Sequence, residues 1–291
     1  MRKLFYPIPS VLLFIAIAFG ARLSVVYSAG QTPPSPAGYE LAWSDEFNEP
    51  DGSVPDPAKW SYAIGGDGWG NHELEFYTNH PQNAQMKSGN LVITAQKETT
   101  VTRKGETRLY TSARIRTKDL FSQTYGRFEA RIKIPKGEGM WPAFWMLGDD
   151  ISTVGWPRCG EIDILENVGK EPALVHGSLH GAGNGAPTAD LTSKFSLPGN
   201  PSLSGDFHLY AAEWDADAVR FFIDATNYAT FTRQQWPAGA VWPFDHNFFL
   251  ILNLAVGGDW PGPPDSSTVF PQQMLVDYVR VYRRVATATR Q

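Results

Sequence analysis

The sequence predicts an all-β domain, a two-sheet sandwich or jelly roll, and three observations carry that prediction. Short alternating or β-branched runs recur through the chain. Gly, Pro, Asn and Asp punctuate them at turn positions. No stretch carries a long 3.6-residue apolar period with a cap at each end, so helices have no signal. Many strands without helices must bury their apolar faces against one another, which leaves a sandwich or jelly roll.

Residues 1–29 read as a signal peptide. Arg2 and Lys3 give a basic start, Val11 to Phe19 an apolar run, and Gly20, Ala21, Ser28 and Ala29 the small residues of a cleavage region. The apolar run is short for a membrane span, and Pro7 and Pro9 break its approach. Export follows, to the periplasm or the medium, with no membrane association once the leader is removed. Residues 30–38 (GQTPPSPAG) form a Pro-rich linker, 39–284 the domain, and 285–291 a tail. Cys159 is the sole cysteine, so no intrachain disulfide can form. It reads as a small buried hydrophobe.

Within the domain, strands are predicted at 91–96, 111–117, 126–134, 143–147, 161–166, 174–180, 209–214, 219–224, 248–256 and 274–282. The third alternates strictly: Arg127, Glu129, Arg131 and Lys133 against Phe128, Ala130, Ile132 and Ile134. That pattern predicts one wet and one buried face. The net charge of -5 and the lack of a basic patch exclude nucleic acid as a partner.

The strongest chemical signal is Glu161-Ile162-Asp163-Ile164-Leu165-Glu166. Three carboxylates interleaved with Ile and Leu are no solvated charge run. Regular pleating puts Glu161 and Asp163 on one face but sends Glu166 to the other, so a β-bulge between Asp163 and Glu166 is predicted to bring it back. Carboxylates crowded on an apolar-backed face raise one another's pKa. Glycoside hydrolysis needs that pairing, with one carboxylate ionised to attack the anomeric carbon and one protonated to release the leaving oxygen. An exposed acidic edge strand or a calcium site is the bland alternative.

The strand sits among seven strings in order: WSDEF (43–47), GWGNHELEFYT (68–78), TSARIRTK (111–118), YGRFEARIKIP (125–135), GMWPAFWMLG (139–148), LNLAVGGDWPG (252–262) and VDYVRVY (276–282). Together with GEIDILENVG they resemble glycoside hydrolase family 16 over nearly all of 39–282. The resemblance implies a β-jelly roll of two antiparallel sheets with a concave substrate cleft and a retaining mechanism. It makes Glu161 the nucleophile, Asp163 its assistant and Glu166 the acid/base. The extra Leu165 places the chain with the bulged group, which holds laminarinases, agarases and carrageenases. The flanking strings resemble the laminarinase branch, hence endo-1,3-β-glucanase activity. His72 and Asp259 depart from the usual pattern, at positions that border the cleft.

Expected sugar-binding residues are Asn71, Arg114, Trp141, Trp145, His180, Asn253 and Trp260. Aromatic faces stack on pyranose rings, though core packing is the competing reading for Trp145. Of the loop tryptophans, Trp260 is favoured over Trp156. The resemblance also implies a structural Ca²⁺ at Glu46, Gly89 and Asp277. No Cys/His cluster suits zinc, and no cofactor is expected for catalysis. The expected partner is a polysaccharide, and the expected state a monomer. Alternatives are another hydrolase or a transglycosylase of the bulged group, or a β-glucan-binding protein without turnover. The last is expected to lack a catalytic glutamate.

Overall fold

The computed structural model describes residues 35–285. The predicted leader, the first part of the linker and most of the tail lie outside them. Two antiparallel sheets make up nearly all of the described domain, and helix is confined to single turns such as Ile151–Val154. The outer sheet runs in the order Thr226–Thr232, Ala218–Ile223, His208–Trp214, Gly126–Lys133, Gln272–Arg284, Asn90–Ala95, Ala84–Lys87. Tyr39–Asp45 also pairs with Gln272–Arg284. The cleft sheet runs Thr188–Phe195, Val175–Ala182, Glu161–Glu166, Met140–Gly148, Phe248–Val256, Arg114–Arg116, Ser61–Tyr62.

The core lies between the sheets. Phe128, Ala130 and Ile132 from the outer sheet share it with Phe144, Met146, Ile162, Leu250 and Leu252 from the cleft sheet. Each fully buried Leu, Ile or Phe contributes roughly 1.5–3 kcal/mol of transfer free energy. Phe248–Val256 is buried at all nine positions. Phe248, Leu250, Leu252, Leu254 and Val256 face the main core. Phe249 and Ile251 join Leu147 and Cys159 in a smaller cluster on the opposite face, beside Asn253 and Ala255. Cys159 is thus the inert, enclosed thiol expected, with burial and the nearby Glu161 pushing it up to about 12.

Three expectations need correction. The run 111–117 is two strands rather than one: Tyr110–Ser112 pairs in parallel with Glu75–Tyr77, and Arg114–Arg116 joins the cleft sheet. The face of Gly126–Lys133 expected to be wet begins dry. Arg127 and Glu129 are 8% and 5% exposed, because they pair with each other at 2.7 Å and Glu213 caps Arg127 at 2.9 Å. The edge strands Thr188–Phe195 and Thr226–Thr232 went unseen; both are mostly polar and half-exposed, so they lack the apolar run that marks a strand.

Candidate active site

Glu161–Glu166 carries the predicted bulge. Against Met140–Gly148, Trp145 faces Asp163 and Phe144 faces Leu165, leaving Ile164 without a partner. Against Val175–Ala182, the register likewise slips between Asp163 and Glu166. The extra residue turns Ile162, Ile164 and Leu165 into the core together, while Glu161, Asp163 and Glu166 all line one cavity. One step of irregular backbone thus satisfies both faces of the strand. Gly160, just before Glu161, has φ +75°, and a Cβ there would meet Phe248 and Pro243 at 2.9–3.1 Å. Only glycine fits that entry.

The cavity, about 290 Å³, lies over the centre of the cleft sheet. Asn71, Arg114, Trp141, Trp145 and Asn253 line it with the three acids, as do Trp69, Glu73 and Trp156. His180 and Trp260 are not on the wall. Trp260 packs edge-on against Trp141 and against the His176 ring, which makes it a brace for Trp141. Trp156, 54% exposed, takes the position expected of Trp260: its Nε1 donates to Glu161 Oε2 at 2.9 Å. On the other side Trp141 Nε1 donates to Glu166 Oε1 at 3.0 Å. Each glutamate therefore holds one indole donor.

His180 lies across the ladder from Glu161. Its Nε2 approaches Asp163 Oδ2 at 3.1 Å, an ion-pair contact rather than a well-aimed hydrogen bond, and its Nδ1 lies 2.6 Å from Asp190 Oδ1. Burial opposes charging of the ring, but Asp163, Glu161 and Asp190 outweigh it and push it up to about 10. It is a cation beneath the acids. Among the described residues, Glu161, Asp163 and His180 form the one group of three potential metal ligands, their atoms within 4.8 Å of one another. A proton on His180 and a metal ion in that group would exclude one another.

Burial, then the charge of Asp163, pushes Glu161 up to about 8, while His180, Trp156 and Arg114 pull it down. Burial, Asp163 and Glu161 all push Glu166 well above the usual carboxylate range. Glu161 therefore ionises first and Glu166 keeps its proton longer.

Arg114 is sandwiched between two indoles, its guanidinium carbon 4.6 Å from the Trp69 ring centre and 4.7 Å from that of Trp145. Trp145 Nε1 donates to Asn253 Oδ1 at 2.7 Å. The loop that brings in Trp69 and Asn71 uses left-handed backbone at Trp69 (φ 49°) and His72 (φ 53°), conformations that cost side-chain-bearing residues energy. His72 and Asp259, the two departures from pattern, pair with each other at 2.8 Å and do not line the cavity. Sequence reasoning missed Trp69 and Glu73, although both lie inside the GWGNHELEFYT string.

At the implied calcium site the side chains are engaged: Arg280 takes both oxygens of Glu46, at 3.0 and 2.7 Å, and Arg131 pairs with Asp277 at 2.6 Å. What remains to offer a cation is backbone oxygen and one Asp277 oxygen. Asp277 is the residue skipped where the ladder slips between Tyr278 and Val276, so its peptide stands outside that pairing. Gly89 closes the nearby turn with φ +71°. Carbonyls with one carboxylate suit calcium.

Two glutamates on one strand, unequal in proton affinity and set among indoles, define an enzyme that cleaves glycosidic bonds. A family model for "Glycosyl hydrolases family 16" matches residues 71–280. The chain is 44% identical to the beta-glucanase of Rhodothermus marinus over 255 residues, 85% of this chain and 86% of that protein. It is 38% identical to glucan endo-1,3-beta-glucosidase A1 of Niallia circulans, covering 87% of this chain but 39% of that longer protein. The crystal structure of endo-beta-1,3-glucanase from Pyrococcus furiosus superimposes with a TM-score of 0.80 at 45% identity, over 86% of this chain and 96% of that one. The protein belongs to glycoside hydrolase family 16.

Proposed function

We propose that this glycoside hydrolase is a retaining endo-β-1,3-glucanase acting by double displacement. Glu161 attacks the anomeric carbon as its ionised form, and Glu166 donates its proton to the leaving oxygen. Water then enters on the same face, activated by the Glu166 carboxylate, and releases the sugar from Glu161. Asp163 and the His180 cation below it set the charge around the nucleophile. Asn71, Arg114, Trp141, Trp145 and Asn253 hold the glucan, and Trp156 orients Glu161. The observation that carries the reading is the bulge that turns Glu161 and Glu166 to one cavity. The relatives named for β-1,3-glucan support the substrate class. We place the protein outside the cytoplasm as a monomer after loss of its leader, with a structural calcium ion held near Glu46, Gly89 and Asp277. That ion would tie the domain's first and last strands together and supply no chemistry to the cleft.

The test is reducing-end release from soluble β-1,3-glucan beside mixed-linkage glucan and agarose, with Glu166→Gln as control. Release from the β-1,3-glucan, lost in the control, is expected. Turnover of agarose alone would keep the mechanism and overturn the substrate.

A further inference from the structure

Beneath the Asn71 side of the cavity, two acids stand two residues apart on one extended segment, and bond cleavage uses neither. Glu75 is fully enclosed. Its Oε2 accepts the Val256 N–H at 2.7 Å, while its Oε1 is buried and, among the described residues, finds no donor. Glu73 is the opposite case. Asn71 Nδ2 donates to its Oε1 at 3.3 Å and the Tyr77 hydroxyl to its Oε2 at 3.0 Å. No ion pair with a basic side chain reaches Glu75 among the described residues. The charged and titratable groups around it are Glu73 and Tyr77 on its own segment, with Arg114 beyond them acting on those two. From Phe248–Val256 it meets the Val256 amide, and across the parallel ladder its partner is Tyr110.

The hydrogen bonds around Glu73 have a fixed direction. An indole can only donate, so Trp145 requires the oxygen of Asn253. That turns the Asn253 amide nitrogen to the Tyr77 oxygen, 3.1 Å away, and leaves the Tyr77 proton for Glu73. The row ends on Glu73 as its acceptor. Two adjacent acids, one fully enclosed and the other nearly buried at the cavity wall, strongly disfavour carrying charge together.

We propose that Glu75 is a positioning residue: it keeps its proton through the neutral range and donates it from Oε1 to Glu73, locking the row from Tyr77 through Asn253 to Trp145, and Asn71 beside it. The inference rests on the reading of Asn71, Asn253 and Trp145 as sugar-holding residues. The proton gives the orphaned oxygen a partner and removes the like charge. Burial, and then Glu73, hold the Glu75 carboxyl well above the usual range, in keeping with a neutral acid. When Glu75 ionises at alkaline pH, Glu73 is repelled and the row loses its anchor. Sugar binding then weakens while the chemistry at Glu161 and Glu166 keeps its own titration.

Two measurements test this. Infrared difference spectra at neutral pH should show a protonated carboxylic-acid carbonyl band that Glu75→Gln removes and Glu166→Gln does not. In kinetics on β-1,3-glucan, Glu75→Ala should raise KM about tenfold with a smaller change in kcat, and Glu75→Gln, whose amide N–H replaces the acid proton, should restore it. The wild-type KM should climb at alkaline pH and that of Glu75→Gln stay flat, with the kcat limbs unchanged. Absence of the Glu75 band, or KM profiles that climb together, would overturn the proposal. No turnover of β-1,3-glucan by the wild type would instead overturn the functional reading, and the infrared band would still decide the proton.

Discussion

The two sheets treat charge in opposite ways. In the outer sheet and at its margin, buried and half-buried carboxylates meet basic side chains: Glu129 and Glu213 meet Arg127, Asp277 meets Arg131, Glu46 meets Arg280, and Asp45 meets Lys59. In the cleft sheet, Glu161 and Glu166 meet indole N–H groups and, among the described residues, no arginine or lysine ion pair. An arginine would clamp either glutamate as a permanent anion and end its traffic in protons. An indole orients a carboxyl group and leaves it free to titrate. The outer sheet spends its acids on holding strands together, and the cleft sheet keeps two of them reactive.

Breaking either arrangement should have unlike consequences. The largest effect is expected from Glu161→Ser, which should cut kcat by about 10³-fold or more while leaving the fold and glucan affinity intact; binding isotherms and residual turnover check it, and near-full activity would refute the assignment. Next, Arg127→Ala should destabilise the protein by about 3–5 kcal/mol, because Glu129 is left buried without its cation. Chemical denaturation would show the loss, and kcat per folded molecule should hold. Were kcat to fall in step with stability, the two sheets would not be the separate devices described.

A smaller change sharpens the comparison. Trp156→Phe removes the one hydrogen-bond donor named on Glu161. Its pKa, already about 8 through burial and Asp163, should rise further. Activity needs that group ionised, so the acid limb of the kcat/KM profile should move to higher pH, with kcat falling about tenfold. A shift to lower pH would contradict the role given to Trp156.

The proton balance also reaches stability. Glu161 and Glu166 bind protons more tightly folded than unfolded. Their contribution is thus full below the ordinary carboxylate range and lost as pH rises towards about 8, where Glu161 titrates in the fold. Glu166→Gln should flatten that decline and raise Tm at pH 8 by a few degrees, more than at pH 4. Equal shifts at both pH values would argue against it. The smallest expected effect is at the outer sheet's proposed calcium position. Chelation should lower Tm by a few degrees, reversed by calcium but not magnesium, with kcat unchanged; an unmoved Tm would remove the proposed ion.

Much of this molecule was readable in one dimension. Alternation in residues 126–134 and the apolar run 248–256 announced strands because a pleat repeats every two residues. The misfit between that period and the spacing of Asp163 and Glu166 announced a bulge, since three acids can face one cavity no other way. Edge strands such as Thr188–Phe195 escaped notice because Ala189, Leu191 and Phe195 alternate with polar residues, Ser193 breaks the series, and no continuous apolar run results. The exchange of roles between Trp156 and Trp260 was also hidden, for both lie in loops rich in Gly and Pro.

The sequence by itself determined most of the long strands, the acidic triplet and its bulge, because pleat geometry and carboxylate chemistry act over a few neighbouring residues. Only the tertiary structure decided which indole meets which glutamate, that His180 bridges Asp163 and Asp190, that His72 finds Asp259, and that Glu75 lies sealed beside Glu73. Those facts depend on which distant segments pack together and how fully they exclude water, and both are properties of the folded sandwich.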